Sequence, residues 1–275
     1  GILTNVAATY AQNNLNQTQN SLQTVLQQLS SGSRINCGAD YAAGLSICDG
    51  LQANEAALTQ SAQNAQNGVG LLQTADGALS QVTNLLDRAV TLATEASNGG
   101  LTAAQSTAAD TEFQSILTEI GNIGSTTNYN STNVFSATAT NFVVSDGTTA
   151  GTTTIAATVG VLTSASVGTG AEDLSADVLT STTAATTALS DVTTAISDVS
   201  AQRGSIGADI NQLNAAANVA SSEEVNLSSA QSAILSTNYG QATSDLAKYQ
   251  VLSQTGISAL AQANSTQQEI LKLLQ

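Results

Sequence analysis

Few residues in this chain are equipped for covalent or acid–base chemistry. None of the 275 residues is histidine, which excludes Ser-His-Asp, Cys-His and HExxH arrangements outright. Two cysteines remain, Cys37 and Cys48, with a sequence cluster of carboxylates, Asp40, Asp49 and Glu55. Two thiols without His or further soft donors make a poor metal site. The carboxylates could in principle serve as general acid and base, but nothing around them in the sequence implies a cleft. No cofactor and no metal are implied, and the chain reads as a non-enzyme.

The elements that would carry these residues are unusual for a compact globule. There is no Pro, Trp or Met, and aromatics make up 3%. The apolar share rests on Ala, Leu, Val and Ile, and the polar share on Gln, Asn, Ser and Thr. Ala, Leu and Gln favour helix, and without Pro nothing in the covalent chain forces a helix to stop. The composition therefore predicts long, slender helical packing. A net charge of −15, from 20 acids against 5 bases, disfavours nucleic acid, whose binding needs Lys and Arg on phosphate. It equally disfavours an anionic membrane surface. The opening residues, Gly1-Ile2-Leu3-Thr4-Asn5, lack the basic region and apolar run of a signal peptide. No apolar stretch is long enough to span a bilayer. By themselves these features predict a cytosolic protein.

The charges are absent from both ends. Residues 1–33 contain none, yet Leu15, Leu22, Val25, Leu26 and Leu29 recur at helical spacing. Residues 243–275 carry only Asp245, Lys248, Glu269 and Lys272, each acid three residues before a base, with apolar Leu246, Ile257, Leu260, Leu271 and Leu274. Two readings fit: frayed polar tails, or helices that pack among many copies of themselves. In a homopolymer every charge meets its own copies, and buried like charges are costly. The retained leucine spacing favours the second reading. These nine leucine and isoleucine positions, with Val25 set aside, are the expected self-assembly contacts.

Two longer seams lie between the ends. One runs Val192, Ile196, Val199, Arg203, Ile206, Ile210, Leu213, Ala217, Ala220, Glu224, Leu227, Gln231, Ile234, in alternating steps of four and three. The other runs from Leu51 through Leu58, Ser61, Ala65, Gly68, Leu72, Leu79, Val82 and Leu86 to Ala96. A third, shorter helix is predicted through Phe113, Ile116, Ile120 and Ile123, after a break at Asn98-Gly99-Gly100. The fold class expected is mainly α, a long antiparallel coiled-coil-like helical bundle. Arg203, Glu224 and Gln231 interrupt the seam and suit a face that meets several partners. Residues 136–190 hold fifteen Thr and lose the helical period. There, β-branched residues around Asp146-Gly147 predict a small β-hairpin in a solvent-facing loop region.

The stretch Leu29-Ser30-Ser31-Gly32-Ser33-Arg34-Ile35-Asn36-Cys37-Gly38-Ala39-Asp40-Tyr41-Ala42-Ala43-Gly44 resembles the bacterial flagellin pattern L-S-S-G-x-R-I-N-x-A-x-D-D-A-A-G. Ser258-Ala259-Leu260-Ala261-Gln262-Ala263-Asn264 is similar to the family's S-x-L-A-Q-A-N, and Ile270-Leu271-Lys272-Leu273-Leu274 to its V-L-x-L-L. Leu117-Thr118-Glu119-Ile120 and Thr127-Asn128-Tyr129-Asn130 resemble its L-x-E-I and T-Q-F-N. The chain departs from the pattern at residues 37–41 and at Gln267, where the family commonly has Pro.

The resemblance implies a subunit that assembles into a helical filament for motility. Residues 1–33 and 241–275 would form an inner domain, 34–45 a connector, 46–135 and 185–240 an outer helical domain, and 136–184 a small solvent-facing region. It implies an extracellular location reached by flagellar type III export without a cleaved signal peptide, which replaces the cytosolic expectation. The implied partners are copies of the chain, a flagellar export chaperone and export apparatus, hook-associated and cap proteins, and an animal innate immune receptor. Arg88, Leu92 and Glu112 match the receptor-facing surface. An oxidising exterior would allow a Cys37–Cys48 disulfide, although eleven positions on one continuous helix lie about 16 Å apart, so the chain must fold back or the bond must join neighbouring subunits. The alternatives are a hook–filament junction protein, which shares flagellin-like ends, a carboxylate enzyme, and a non-flagellar surface coiled coil.

Overall fold

The computed structural model describes residues 5–146 and 153–273, with side chains through Glu269. Among them are five helices, α1 Val6–Ser31, α2 Ala42–Ser97, α3 Ala103–Thr126, α4 Thr182–Leu235 and α5 Tyr239–Leu273. Four short strands accompany them, β1 Asn128–Tyr129, β2 Thr132–Asn133, β3 Thr140–Val143 and β4 Thr154–Ala157. The mainly helical class read from composition is the class observed. The helices begin and end where the chain supplies caps. Asn5 accepts the Ala8 N–H ahead of α1, and Gly32, at φ 72°, ends it by donating to the Gln28 carbonyl. The Asn98-Gly99-Gly100 break stops α2, with Gly99 at φ 61°. Thr102 and Gln105 then form a reciprocal capping box that starts α3.

The chain divides into two compact units, residues 1–53 with 226–275 and residues 54–225. In the first unit, α1 and α5 lie antiparallel. The Asn5 Nδ2 donates to the Ala263 carbonyl (2.9 Å), and at the other end the Thr237 hydroxyl donates to the Gln28 carbonyl (3.3 Å). Leu15 packs over Gly256, where an added Cβ would stand 3.2 Å from the leucine Cδ1. Along α1 the covered positions include Ala8, Ala11, Leu15, Thr18, Leu22, Val25 and Leu29, a seam in steps of three and four. Facing it, α5 covers Ala242, Leu246, Tyr249, Ser253, Gly256, Leu260 and Ala263. Most of these are only half-buried: a two-helix pair can cover one stripe of each helix and no more.

The second unit has a closed core. Its α2 face buries Leu72, Leu79, Val82 and Leu86, its α3 face Phe113, Ile116, Leu117 and Ile120, and its α4 face Val192, Val199, Ile206 and Leu213. The α4 stripe differs from the expected one by a residue in its first half. Ala195 and Gln202 are buried, while Ile196 and Arg203 lie at the edge, because several elements rather than a single partner cover this helix. Arg203 donates to Asp76 of α2 at 2.7 Å.

The small and polar positions of the α2 seam seat the β-hairpin. The Ser61 hydroxyl donates to the Ser145 carbonyl and accepts the Ser145 N–H. Asn64 donates to the Val143 carbonyl, and Gly68 leaves room for Phe142 and Leu213. Strands β3 and β4 pair antiparallel with Phe142 opposite Ile155, close to the predicted hairpin; its Asp146-Gly147 turn lies mostly outside the described residues. A second, two-residue hairpin, β1–β2, was not foreseen. It turns on Asn130 and Ser131, both at positive φ, and the sequence there offers no Gly to announce it.

Residues 136–184 are more than a solvent-facing region. Ile155, Ala157, Val159, Leu162, Val167, Leu174 and Leu179 are buried in the same core as the helices. They are single apolar residues in a Thr- and Ser-rich segment, too sparse to show a period. Their backbone is held by polar side chains: Ser106 donates to the Leu179 carbonyl, Gln114 to the Asp177 carbonyl, and Asp110 accepts the Leu179 N–H. These three residues repeat every four positions and so share one face of α3.

Candidate assembly surface

Both units leave apolar side chains uncovered, but among the described residues the large ones exposed in the second are valines alone, Val143, Val161, Val178, Val219 and Val225. In the first, Tyr10 is 68% exposed, Val251 62%, Ile257 49% and Leu26 47%, and Val6, Ile47 and Leu252 are also largely open. Adjacent residues Val251 and Leu252 point about 100° apart around a helix, so the apolar exposure is not confined to one side. The unit carries three bases, Arg34, Lys248 and Lys272, against four acids, Asp40, Asp49, Asp245 and Glu269. The second unit carries two bases against sixteen acids, so nearly all of the net −15 belongs to it. Both of those bases are paired, Arg88 with Glu112 and Arg203 with Asp76. The near-neutral unit is thus the one that exposes Tyr, Leu and Ile side chains.

The predicted contact residues distribute accordingly. Leu15, Leu22, Leu29, Leu246 and Leu260 are half-buried along α1 and α5, whereas Leu26 and Ile257 are exposed. The side chain of Leu271 and the whole of Leu274 lie outside the described residues. Tyr10, Val251 and Leu252 escaped the sequence reading because they stand off the leucine repeat; an apolar residue that breaks the stripe of a thinly covered helix is the signal that would have found them. Asp245 and Lys248 do not pair with each other as their spacing suggested. Asp245 accepts from Gln241 at 3.1 Å, and the Lys248 ammonium sits 5.3 Å from the centre of the Tyr249 ring.

The turn between α1 and α2 is fixed by Asp40. Its carboxylate accepts the N–H groups of Asn36 and Cys37 at 2.9 and 3.0 Å. These bonds, with one from the Cys37 thiol, hold the carboxyl below the ordinary range. Asp40 is therefore committed to the backbone rather than poised for catalysis. Gly44 passes close under Tyr41, where a Cβ would meet the ring at 2.1 Å. In the single chain both thiols are free, Cys37 exposed and Cys48 buried in α2. The fold-back falls ahead of the helix, so one thiol faces solvent and the other the interior.

Arg88 and Glu112 join α2 to α3 through a two-pronged ion pair, at 2.7 and 3.0 Å. The hydrogen bond from Arg88 lowers the Glu112 carboxyl and raises the guanidinium. Leu92, expected on the same surface, is buried in the core: the α2 seam reaches it as well. Leu92→Ala is expected to cost about 2–4 kcal/mol in chemical denaturation, while Arg88→Ala, which removes only a solvated pair, leaves the unfolding midpoint nearly unchanged. Equal effects from the two would contradict this placement.

Residues 2–140 match the family described as bacterial flagellin N-terminal helical region, and residues 189–274 the bacterial flagellin C-terminal helical region. A flagellin of Listeria innocua is 29% identical over 98% of this chain and 98% of its own. Flagellin 1 of Proteus mirabilis is 37% identical over 54% of this chain, and a Serratia marcescens flagellin 40% identical over 50%. The chain spans about 40% of the length of these last two. A crystal structure of Bacillus cereus flagellin aligns over 57% of this chain and 88% of its own, at 26% identity and a TM-score of 0.49. With the two terminal regions matched in order over most of its length, the chain belongs to the bacterial flagellins, the subunit family of the flagellar filament.

Proposed function

We propose that this chain polymerises into the flagellar filament through its paired terminal helices, residues 1–33 and 241–275 providing the contacts between copies. One observation carries the reading: the near-neutral unit leaves Tyr, Leu and Ile side chains open on several sides, while the large apolar residues that the acidic unit exposes are valines alone. A heterologous contact that repeats by rotation and rise without closing gives an open helical polymer. Chains whose interfaces carry few charges, balanced in sign, can stack with little repulsion between copies. The two-helix pair is thinly covered in one copy, so its ordering is completed by neighbours at a growing end.

In this reading the chain is extracellular once assembled. It leaves by flagellar type III export with an export chaperone, and it meets hook-associated and cap proteins at the filament's ends. A receptor-facing surface would have to use the exposed Arg88–Glu112 pair without Leu92. The test is seeded growth. Purified chain added to sheared fragments of its own filaments should pass into the pellet, and mass spectrometry of filaments sheared from the source cells should find it as a main component. A chain that stays soluble beside competent seeds, or occurs only at filament bases, overturns the reading.

A further inference from the structure

We propose that the Asn98-Gly99 turn after α2 is a site of spontaneous covalent modification, where the asparagine side chain cyclises onto the next backbone nitrogen and reopens as a carboxylate. The chain holds two Asn-Gly pairs, Asn67-Gly68 and Asn98-Gly99. Gly after Asn favours this reaction, because a residue without Cβ leaves the attacking nitrogen unhindered and its backbone free to turn. The fold treats the two pairs differently. Asn67 and Gly68 lie inside α2, where the Gly68 N–H belongs to the helix ladder and is directed at the Asn64 carbonyl. Gly68 is also buried, with Leu213 and Phe142 against it. Asn98 and Gly99 lie just past the last turn of α2 and are exposed. The Asn98 N–H donates to the Glu95 carbonyl at 3.3 Å, but no acceptor for the Gly99 N–H is found among the described residues. Gly99 stands at φ 61°, outside right-handed helical geometry.

The reaction needs water and no other reagent. The Gly99 nitrogen gives its proton to solvent and attacks the side-chain carbonyl carbon of Asn98. The bond from that carbon to the amide nitrogen breaks, and the nitrogen leaves as ammonia with a proton from solvent. Water then adds to one of the two carbonyls of the five-membered imide and reopens it, to aspartate or to isoaspartate. Either product adds one negative charge. It falls at the end of α2, where the last carbonyls already present the negative end of the helix dipole, three residues after Glu95. The isoaspartyl form also lengthens the main chain by one carbon. It does so in a turn where a Cβ on Gly99 would touch Thr182, the first residue of α4, and which leads into the Thr102 cap of α3. The site belongs to the acidic unit and does not depend on the filament reading.

Peptide mass spectrometry of the full chain, incubated folded at about pH 8 and sampled over weeks, tests it. Asn98 should convert at least about tenfold faster than Asn67, which reacts only in the fraction of chains where α2 has opened locally. The product should be a mixture of aspartyl and isoaspartyl peptides, as ring opening on either side requires. In a denaturant that unfolds the chain, the two rates should converge, since Gly follows both residues. Equal rates in the folded chain, or a preference for Asn98 that persists undiminished on unfolding, overturns the proposal.

Discussion

Leu26→Glu is expected to leave the monomer folded and to stop it polymerising. Leu26 stands on the flank of α1, nearly half exposed, in a segment that contains no charged side chain from residue 1 to 33. In the free chain a glutamate there reaches water, and exposed substitutions of this kind change stability by about 0.5 kcal/mol or less. In the polymer the same carboxylate would be buried in every copy, each near the next. Enclosing an unpaired charge costs several kcal/mol, and every 1.4 kcal/mol is tenfold in an equilibrium constant. The critical concentration should therefore rise by at least about a hundredfold. Leu26→Gln, which keeps the site neutral, should retain most of the assembly. Circular dichroism melts and seeded pelleting read both halves. A Leu26→Glu chain that pellets like its parent would remove Leu26 from the interface.

The second large effect falls within the acidic unit. Gly124→Ala should destabilise the protein by about 3 kcal/mol or more, whereas Gly121→Ala, one turn earlier in α3, should stabilise it by about 0.5–1 kcal/mol. At Gly124 an ideal Cβ would lie 1.8 Å from the Leu162 carbonyl oxygen and 2.8 Å from its carbon. Those are backbone atoms, so the clash is relieved only by moving the helix off the 159–184 segment, with loss of packing around the buried Leu162. At Gly121 nothing lies within 4 Å, so the substitution brings only the helix preference of Ala over Gly. Denaturant unfolding with an unchanged m-value measures both. A tolerated Gly124→Ala would mean that α3 and the segment do not pack as closely as described.

The helices were legible because each satisfies a rule that needs no tertiary knowledge. The α2 stripe from Leu58 to Ala96 emerged as predicted, since a seam repeated over many turns leaves little room for another period. The break at Gly99 and the α3 start at Thr102 follow from local backbone chemistry alone. What the sequence hid was long-range. Val167 and Leu174 are fully buried, yet each is surrounded in sequence by Gly, Ser, Thr and acids, and only the space left by α3 and α4 makes them core. Leu92 looked like surface beside Arg88 by motif, but sits on the inward stripe of the same helix. Cys37 and Cys48 face different environments because the turn falls at Asp40, two residues before α2 begins. Spacing in sequence does not carry that information.

Of the candidate surface, the absence of charge was visible and the direction of the apolar residues was not. Leu15 and Leu26 read alike as members of a leucine repeat. One packs over Gly256 of α5 and the other stays open, a distinction that depends on which flank the partner helix occupies. The prediction that the ends are built for neighbours therefore rests on composition, and the choice of residues on the structure.

The most direct test is a helical reconstruction, by electron cryomicroscopy, of filaments grown from this chain. The account predicts that α1 and α5 of each subunit are enclosed by neighbouring copies, with Tyr10, Leu26, Val251 and Ile257 buried between subunits. If those residues stay in solvent and the subunits touch only through residues 54–225, the terminal helices are not the polymer interface.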